Sequence, residues 1–214
     1  MTLNADIRGL PIVGGNLALD LANTTSERHG GTPRERLLDY DDVVTWARRV
    51  NLVSAAHARA LREAAERHPR LAATALERVR AFREMTYRIF SAIANGRKPA
   101  AADLAHLTAA LRESTSHREL DWNRGPRWKR ISGGDDLAAL LRPVADNAES
   151  LLFGDELGRV KECHGEDCNW LFVDSSRNRS RRWCDMADCG NRSKARRFYS
   201  RSGGLGAPGP QSSP

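Results

Sequence analysis

Four cysteines, Cys163, Cys168, Cys184 and Cys189, fall in one C-terminal stretch in the pattern C-x4-C-x15-C-x4-C, and the chain has no others. Two close pairs separated by a loop-sized gap are what one tetrahedral Zn²⁺ asks of a single chain. Each pair supplies two thiolates from a tight knuckle, and the gap brings the second pair round to complete the shell. The rival chemistry is a pair of disulfides. Residues 1–15 carry an early acid at Asp6 and lack the apolar run, roughly 7–15 residues long, of a secretory signal. No stretch approaches the roughly 20 apolar residues of a membrane span. Cytoplasmic thiols stay reduced, and paired cysteines there point to metal. The expectation is a cytoplasmic protein holding one structural zinc, with disulfides or free buried thiols as alternatives. Four thiolates leave no position for water, so the site reads as structural rather than catalytic. His164 adjoins the first cysteine; it reads as an exposed knuckle residue, or else as a substitute ligand.

The net charge of +7 is not spread evenly. Residues 1–176 carry 25 Lys and Arg against 25 Asp and Glu, whereas residues 177–201 carry nine bases against Asp185 and Asp188. The whole basic excess therefore overlaps the second cysteine pair, and it survives the −2 that a tetrathiolate zinc site would add. One cluster, Arg177, Arg179, Arg181 and Arg182, lies between the cysteine pairs. The other, Arg192, Lys194, Arg196, Arg197 and Arg201, follows Cys189 in a segment with helical spacing. On a helical wheel Ala195, Phe198 and Tyr199 share an arc of about 100°, which is expected to pack on the knuckles while the bases face outward.

Arginine's planar fork pairs bidentately with phosphate and with the guanine edge. A segment of about 40 residues cannot fold on its own apolar burial, so metal binding is expected to supply the missing folding free energy and hold a basic surface in shape. The favoured partner is nucleic acid, and duplex DNA rather than RNA, because Trp170, Phe172, Trp183 and Phe198 read as packing residues and not as stacking platforms. The alternatives are a solvated basic face and a surface for an acidic partner.

The elements that must position these residues are mostly helical. Residues 16–24 fit a strand or a helix, with Leu17, Leu19 and Leu21 alternating, and residues 29–33 read as a loop. Asp39 to Asp42 offer an N-cap and first-turn acids to a helix carrying Val43, Trp46, Ala47 and Val50. Ser54 caps a second helix, which Pro69 ends. A long helix over residues 71–95 carries Leu76, Val79, Phe82, Ile89, Phe90 and Ile93 and stops at Gly96. A shorter one follows with Leu104, Leu107 and Leu111. Leu120, Trp122, Trp128 and Ile131 around Gly125-Pro126 read as a β-hairpin. Gly133-Gly134-Asp135 opens a last long helix, kinked at Pro143 and ended at Gly154. Trp170 and Phe172 alternate like a short strand over the knuckle, and residues 202–214 read as disordered. The predicted class is mainly α with a small β component: a helical N-terminal domain with a β-hairpin, then a four-cysteine, treble-clef-like module of knuckle, short hairpin and helix.

Trp183-Cys184 followed by Cys189-Gly190-Asn191-Arg192 and Lys194, with Cys163-x4-Cys168 and Phe172-x-Asp174 before them, resembles the CGNR zinc finger over residues 159–201. Gly14-Gly15-Asn16-x-Ala18-Leu19-Asp20-x-x-Asn23-Thr24, the Trp46 helix and Ala148-Glu149-Ser150-Leu151-Leu152 resemble the ABATE domain. The resemblance implies a bacterial, stress-induced transcription regulator that binds DNA through its finger. It also implies four cysteine ligands at the positions already read. The expected domains are 1–158, an ABATE-like helical regulatory domain; 159–201, the finger; and 202–214, the tail. In the signature, Gly190 suits a close approach or a positive φ. Asn191 suits a brace for the knuckle, and Arg192 either a phosphate contact or a cover over a thiolate.

The N-terminal body is read as regulating or dimerising the finger, which leaves a small-molecule effector and a homodimer open. Asn16, Asp20, Asn23 and Thr24 gather polar groups beside Gly14-Gly15, either as a ligand pocket or as a network that fixes this segment to the helices. No phosphate-loop, H-E-x-x-H or G-x-S-x-G pattern is present, so no enzyme is expected. Trp122 and Trp128 read as cross-strand packing or as a ligand clamp. A zinc-stabilised protein-interaction or oligomerisation module and an RNA binder stand as the alternative functions.

Overall fold

The computed structural model describes residues 6–28, 32–123, 125–130 and 136–202, with residues 201 and 202 in backbone alone. The expected 29–33 loop in part, Ile131, the Gly133-Gly134-Asp135 helix start, the Arg201 side chain and the tail from residue 203 lie outside the described residues. Within them the class is as expected, mainly α with three two-stranded antiparallel ribbons.

Residues 16–24 settle as a helix, α1 (Leu17–Ala22), because Asn16 adopts an extended backbone and its Oδ1 accepts the Ala18 N–H at 2.9 Å. A short ribbon follows, β1 (Thr25–Ser26) with β2 (Arg34–Glu35). Asp39 and Asp42 form a reciprocal capping box at the start of α2 (Tyr40–Arg49). Ser54 Oγ caps α3 (Ala55–Arg67) through the His57 N–H. Pro69 does more than end α3. It occupies the first position of α4 (Pro69–Ala94), where its missing N–H costs nothing. The far end of α4 closes with Gly96 at φ +66°, its N–H on the Ile93 carbonyl and the Arg97 N–H on that of Ala92, a Schellman motif.

At 26 residues α4 is about 39 Å long, and it is the axis of the molecule. α1, α2, α3, α5 (Ala101–Ser116) and α6 (Leu141–Phe153) all pack on it. Trp46, Leu19, Leu21, Ile89 and Phe90 fill the space between them, each at most 1 % exposed. The expected kink at Pro143 is absent. α6 begins at Leu141, so Pro143 falls in the first turn, where no helical hydrogen bond is lost.

The hairpin forms as β3 (Arg118–Trp122) and β4 (Pro126–Arg130), with Leu120 opposite Trp128 and Trp122 opposite Pro126. These four lie on one face, and Leu120, Trp122 and Trp128 remain 66 %, 75 % and 60 % exposed. Among the described residues, the two tryptophans therefore pair across the strands with Leu120 and Pro126, and pack under no other element.

The C-terminal module consists of β5 (Val160–Glu162), the first knuckle, β6 (Leu171–Val173), an arginine-rich loop, a wide turn over Met186–Gly190 and α7 (Asn191–Ser202). β5 and β6 pair with Val160 opposite Val173. Leu171 and Phe172 are fully buried, in one apolar cluster with the helical body.

Candidate metal centre and basic surface

Cys163 directly follows β5, and its N–H donates to the Trp170 carbonyl at 2.8 Å. The chain reverses through Gly165, where a Cβ would sit 3.1 Å from Cys168 Cβ and 3.3 Å from Cys189 Sγ. It leaves the knuckle through Asn169 at φ +58°, a conformation asparagine tolerates better than most residues. The second pair arrives on the other side, and the Cys184 and Gly165 N–H groups both donate to Cys163 Sγ, at 3.3 and 3.4 Å. All four sulfurs lie within 4.8 Å of one another and are buried.

The sulfurs are not disulfide-bonded: Cys184 Sγ lies 3.6 Å from Cys168 Sγ and 3.7 Å from Cys189 Sγ. Tetrahedral zinc with Zn–S near 2.3 Å places its sulfurs about 3.8 Å apart, so the donor set fits one structural zinc. Crowding also shapes the protonation. Hydrogen bonds from Cys168, Cys184 and Cys189 pull the Cys163 thiol down, and its bond to Cys163 pushes Cys184 up. Four negative sulfurs cannot share this space without a dication among them. His164 is exposed and is no member of the cluster.

The arginine-rich loop is pinned by Asp174, which is fully buried. Its carboxylate accepts Lys161 Nζ at 2.6 Å, the Ser176 hydroxyl at 2.6 Å and N–H at 3.0 Å, and the Arg181 N–H at 3.0 Å. Burial alone would raise this carboxyl; those donors outweigh it and hold it well below the ordinary range. Lys161 Nζ also donates to the Arg179 and Arg181 carbonyls, at 2.5 and 3.2 Å, so one lysine ties both strands of the loop.

Of the nine expected basic contacts, the eight whose side chains are described separate into two groups; the ninth is Arg201. Arg181 is spent internally: its guanidinium donates to the Trp183 carbonyl at 2.9 Å and to that of Cys184, and lies 4.5 Å from the Phe172 ring centroid. Arg192 Nη2 donates to Cys189 Sγ at 3.1 Å, and its Nε faces Asp188, so it covers a sulfur. Arg196 bridges Glu166 at 2.5 Å and Asp167 on the first knuckle. Arg177, Arg179, Arg182, Lys194 and Arg197 are exposed, and none forms an ion pair among the described residues. Arg182 lies over Trp183, 5.7 Å from the ring centroid.

α7 is thus docked the other way round from the expectation. Its Arg192 and Arg196 side turns toward the first knuckle across a polar cleft of about 420 Å³, whereas Phe198 and Tyr199 are 68 % and 72 % exposed. The apolar-inward rule assumes an apolar partner surface. Here the partner offers sulfurs, Glu166 and Asp167, so cations go in. The reading of Phe198 as a packing residue is corrected with it. Trp170 and Phe172 are buried, as expected. Gly190 has no positive φ; a Cβ there would meet Met186 Sδ at 2.7 Å. Asn191 braces the turn through the Ala187 carbonyl at 3.0 Å.

Asn16, Asp20, Asn23 and Thr24 all have partners, which favours the network over the pocket. Asn16 Nδ2 donates to the Asn147 carbonyl, Asp20 Oδ1 accepts the Gly14 N–H at 2.8 Å, and Thr24 Oγ1 donates to the Leu21 carbonyl. Asn23 brackets Leu171 on β6, donating to its carbonyl and accepting its N–H, both at 2.8 Å. The Val173 N–H donates to the Gly14 carbonyl, and Trp170 Nε1 to that of Thr25. The segment is the seat of the finger's strand. Sequence reasoning missed the second half of this joint. Glu162 on β5 accepts from Tyr87 Oη, Ser91 Oγ and Asn95 Nδ2 of α4 at 2.7–2.8 Å. The i, i+4, i+8 spacing of those donors was visible; their acceptor, some seventy residues away, was not.

The ABATE family model, described as a putative stress-induced transcription regulator, matches residues 15–155, and the CGNR zinc finger model matches residues 159–202. Neither describes an enzyme. No curated protein matches the chain. Among the described residues no helix is long and apolar enough to cross a membrane.

Proposed function

The chain belongs to the ABATE family and carries a C-terminal CGNR zinc finger, and from that premise we propose that it is a zinc-dependent, DNA-binding transcription regulator of the cytoplasm. Residues 1–158 form the regulatory body, and residues 159–201 the finger that meets duplex DNA. Cys163, Cys168, Cys184 and Cys189 hold the ion, which contributes folding free energy and offers no open coordination position. Arg181 and Arg192 shape the finger from within, and Arg196 fixes α7 to the knuckle.

The observation that carries this reading is a set of exposed bases that form no ion pair among the described residues: Arg177, Arg179 and Arg182 in the loop between the cysteine pairs, and Lys194 and Arg197 on the helix after them. Each phosphate contact contributes a slope of about −0.9 in log K against log salt on duplex DNA. Four such contacts weaken binding about 10²-fold between roughly 50 and 200 mM salt. The test is a titration of the full chain onto a random-sequence duplex at those two salt concentrations, with and without chelator. Steep salt dependence that chelator abolishes is the expected result. Unchanged binding after combined Arg177→Ala, Arg179→Ala, Lys194→Ala and Arg197→Ala substitution would refute the assignment.

A second reading, a self-association module, is favoured by the exposed Leu120, Trp122 and Trp128 face. Salt-insensitive dimerisation lost on Trp122→Ser, without retention on DNA, would select it.

A further inference from the structure

α4 and α5 pack side by side, and part of their seam is not filled. Each lines it with an i, i+3, i+4, i+7 row: residues 78, 81, 82 and 85 on α4, and residues 106, 109, 110 and 113 on α5. Ala81, Ala109 and Ala110 belong to these rows, and their methyl groups are too short to close the gap. A cavity of about 320 Å³ remains, with the buried Phe82 and Met85 in its wall and Leu141 and Arg142 of α6 beside them. That is room for a small organic molecule. Two arginines line it against one carboxylate, Glu113; the exposed His106 is the other polar group. Arg142 keeps 7 % of its side chain exposed. Its Nη2 donates to Asp136, which lines a neighbouring hollow and not this one, and lies 3.8 Å from Glu113 Oε1. Its Nε is buried without a hydrogen-bond partner. Arg78 engages only its Nη2, with the two Glu113 oxygens at 3.0 and 3.3 Å. Glu113 thus holds two guanidiniums within 4 Å of one carboxylate, and each of them uses a single nitrogen among the described residues. Buried N–H groups in folded proteins are almost always answered by an acceptor. The group that answers idle guanidinium donors is a further carboxylate, and the apolar wall sets what that carboxylate is attached to.

We propose that the cavity between α4 and α5 binds a small organic acid, a carboxylate on a compact apolar body. The carboxylate takes idle N–H groups of Arg78 and Arg142, and the body lies against Phe82, Met85 and Leu141 in the space the alanines leave. Selectivity divides in the same way: the arginines disfavour an uncharged analogue, and the apolar wall disfavours an acid that has no body. The helix that lines the cavity also holds the finger, because α4 accommodates the ligand with residues 78–85 and clamps Glu162 with Tyr87, Ser91 and Asn95.

The test uses the full, zinc-loaded chain and three probes, 3-phenylpropionate, its uncharged amide and acetate, with affinities read by ligand-observed NMR. The amide is expected to bind about tenfold more weakly than the acid, as loss of a hydrogen bond to a charged group implies, and acetate not at all. Arg78→Met removes a half-exposed cation and should bring the acid down to the amide's affinity, with the helical signal in circular dichroism unchanged. Ala109→Leu, at an exposed helix position, fills the space and should abolish binding of acid and amide alike. The finger is itself basic, so Arg177→Ala with Arg197→Ala is the control, and it should bind the acid as the wild type does. Equal affinity for acid and amide would overturn the role of the arginines and the ligand class with it. Acid binding that survives Ala109→Leu, or that the finger variant loses, would overturn the site. No binding of the acid at millimolar concentration would overturn both. Self-association lost on Ala109→Leu, without probe binding, would mean that a second copy fills the seam instead. The readout needs no DNA, so its failure leaves the assignment of the finger untouched.

Discussion

Asp20 sits against the Gly14 N–H at 2.8 Å with 8 % of its surface exposed, and that burial raises its carboxyl from 3.8 to about 6. The folded state therefore favours the protonated form. Stability from this group is greatest below pH 3.8, falls as pH rises from 3.8 to about 6, and is flat above. Asp20→Asn keeps an acceptor for Gly14 and removes the charge. The variant should match the wild type near pH 4 and exceed it by roughly 1–3 kcal/mol at pH 7, in urea titrations across that range. A constant difference would show that Asp20 titrates in the fold as it does in the unfolded chain. Asp174 works in the opposite sense. Its depressed carboxyl contributes stability above the ordinary aspartate range and loses it as pH falls through that range. Asp174→Asn strands Lys161, which is about a third exposed, so the cost is discounted to roughly 2 kcal/mol. Hydrogen exchange at the Arg181 amide, which donates to Asp174, should quicken with it. Protection at that amide equal to the wild type would contradict its role as the pin of the loop.

The joint between β5 and α4 makes the case at the scale of the element. Tyr87, Ser91 and Asn95 form a polar stripe on α4, and Glu162 accepts from all three. Glu162→Ala leaves those donors without their carboxylate and should cost about 2 kcal/mol. The amides of β5 and β6 should lose protection before those of α2 and α3, by hydrogen exchange with mass spectrometry. Uniform loss across the chain would mean that the joint is no separate element. Local signals made many elements legible in advance: the N-cap and first-turn acids of Asp39 to Asp42, Ser54 as a cap, Gly96 as a stop, and the cysteine spacing. Each depends on residues a few positions apart. Two expectations failed because the deciding partner was distant or the starting point ambiguous. Pro143 kinks a helix only if the helix begins well before it, and α6 begins at Leu141. The α7 wheel gave the right periodicity and the wrong orientation, because the surface it meets is made by Glu166, Asp167 and Cys189, which only the folded knuckle brings together. The polar motif at Asn16 to Thr24 read as either a pocket or a network, and nothing in it pointed to a strand that lies nearly 150 residues further on.

For the whole molecule, these joints determine how metal and body depend on each other. A finger hung on a flexible linker would unfold on chelation and leave the helical body untouched. Here β6 is bracketed by Asn23 and bonded to Gly14, β5 is clamped to α4 through Glu162, and Phe172 and Leu171 lie in the same apolar cluster as Phe90 and Leu19. Loss of the metal's binding free energy should therefore reach the body, since whatever binds only the native state stabilises everything cooperative with it. Calorimetry of the zinc-loaded chain should give one transition. Chelator should move that transition down as a unit, by more than 10 °C on the scale of about 3 °C per kcal/mol for a chain of this size. Asn23→Ala should uncouple the two parts, so that chelator then melts the finger while the helical signal holds to a higher temperature. A helical transition that ignores chelator in the unsubstituted protein would mean that α1 and α4 carry the finger without feeling it. A regulatory body in that state would have no mechanical route from its helices to the basic surface.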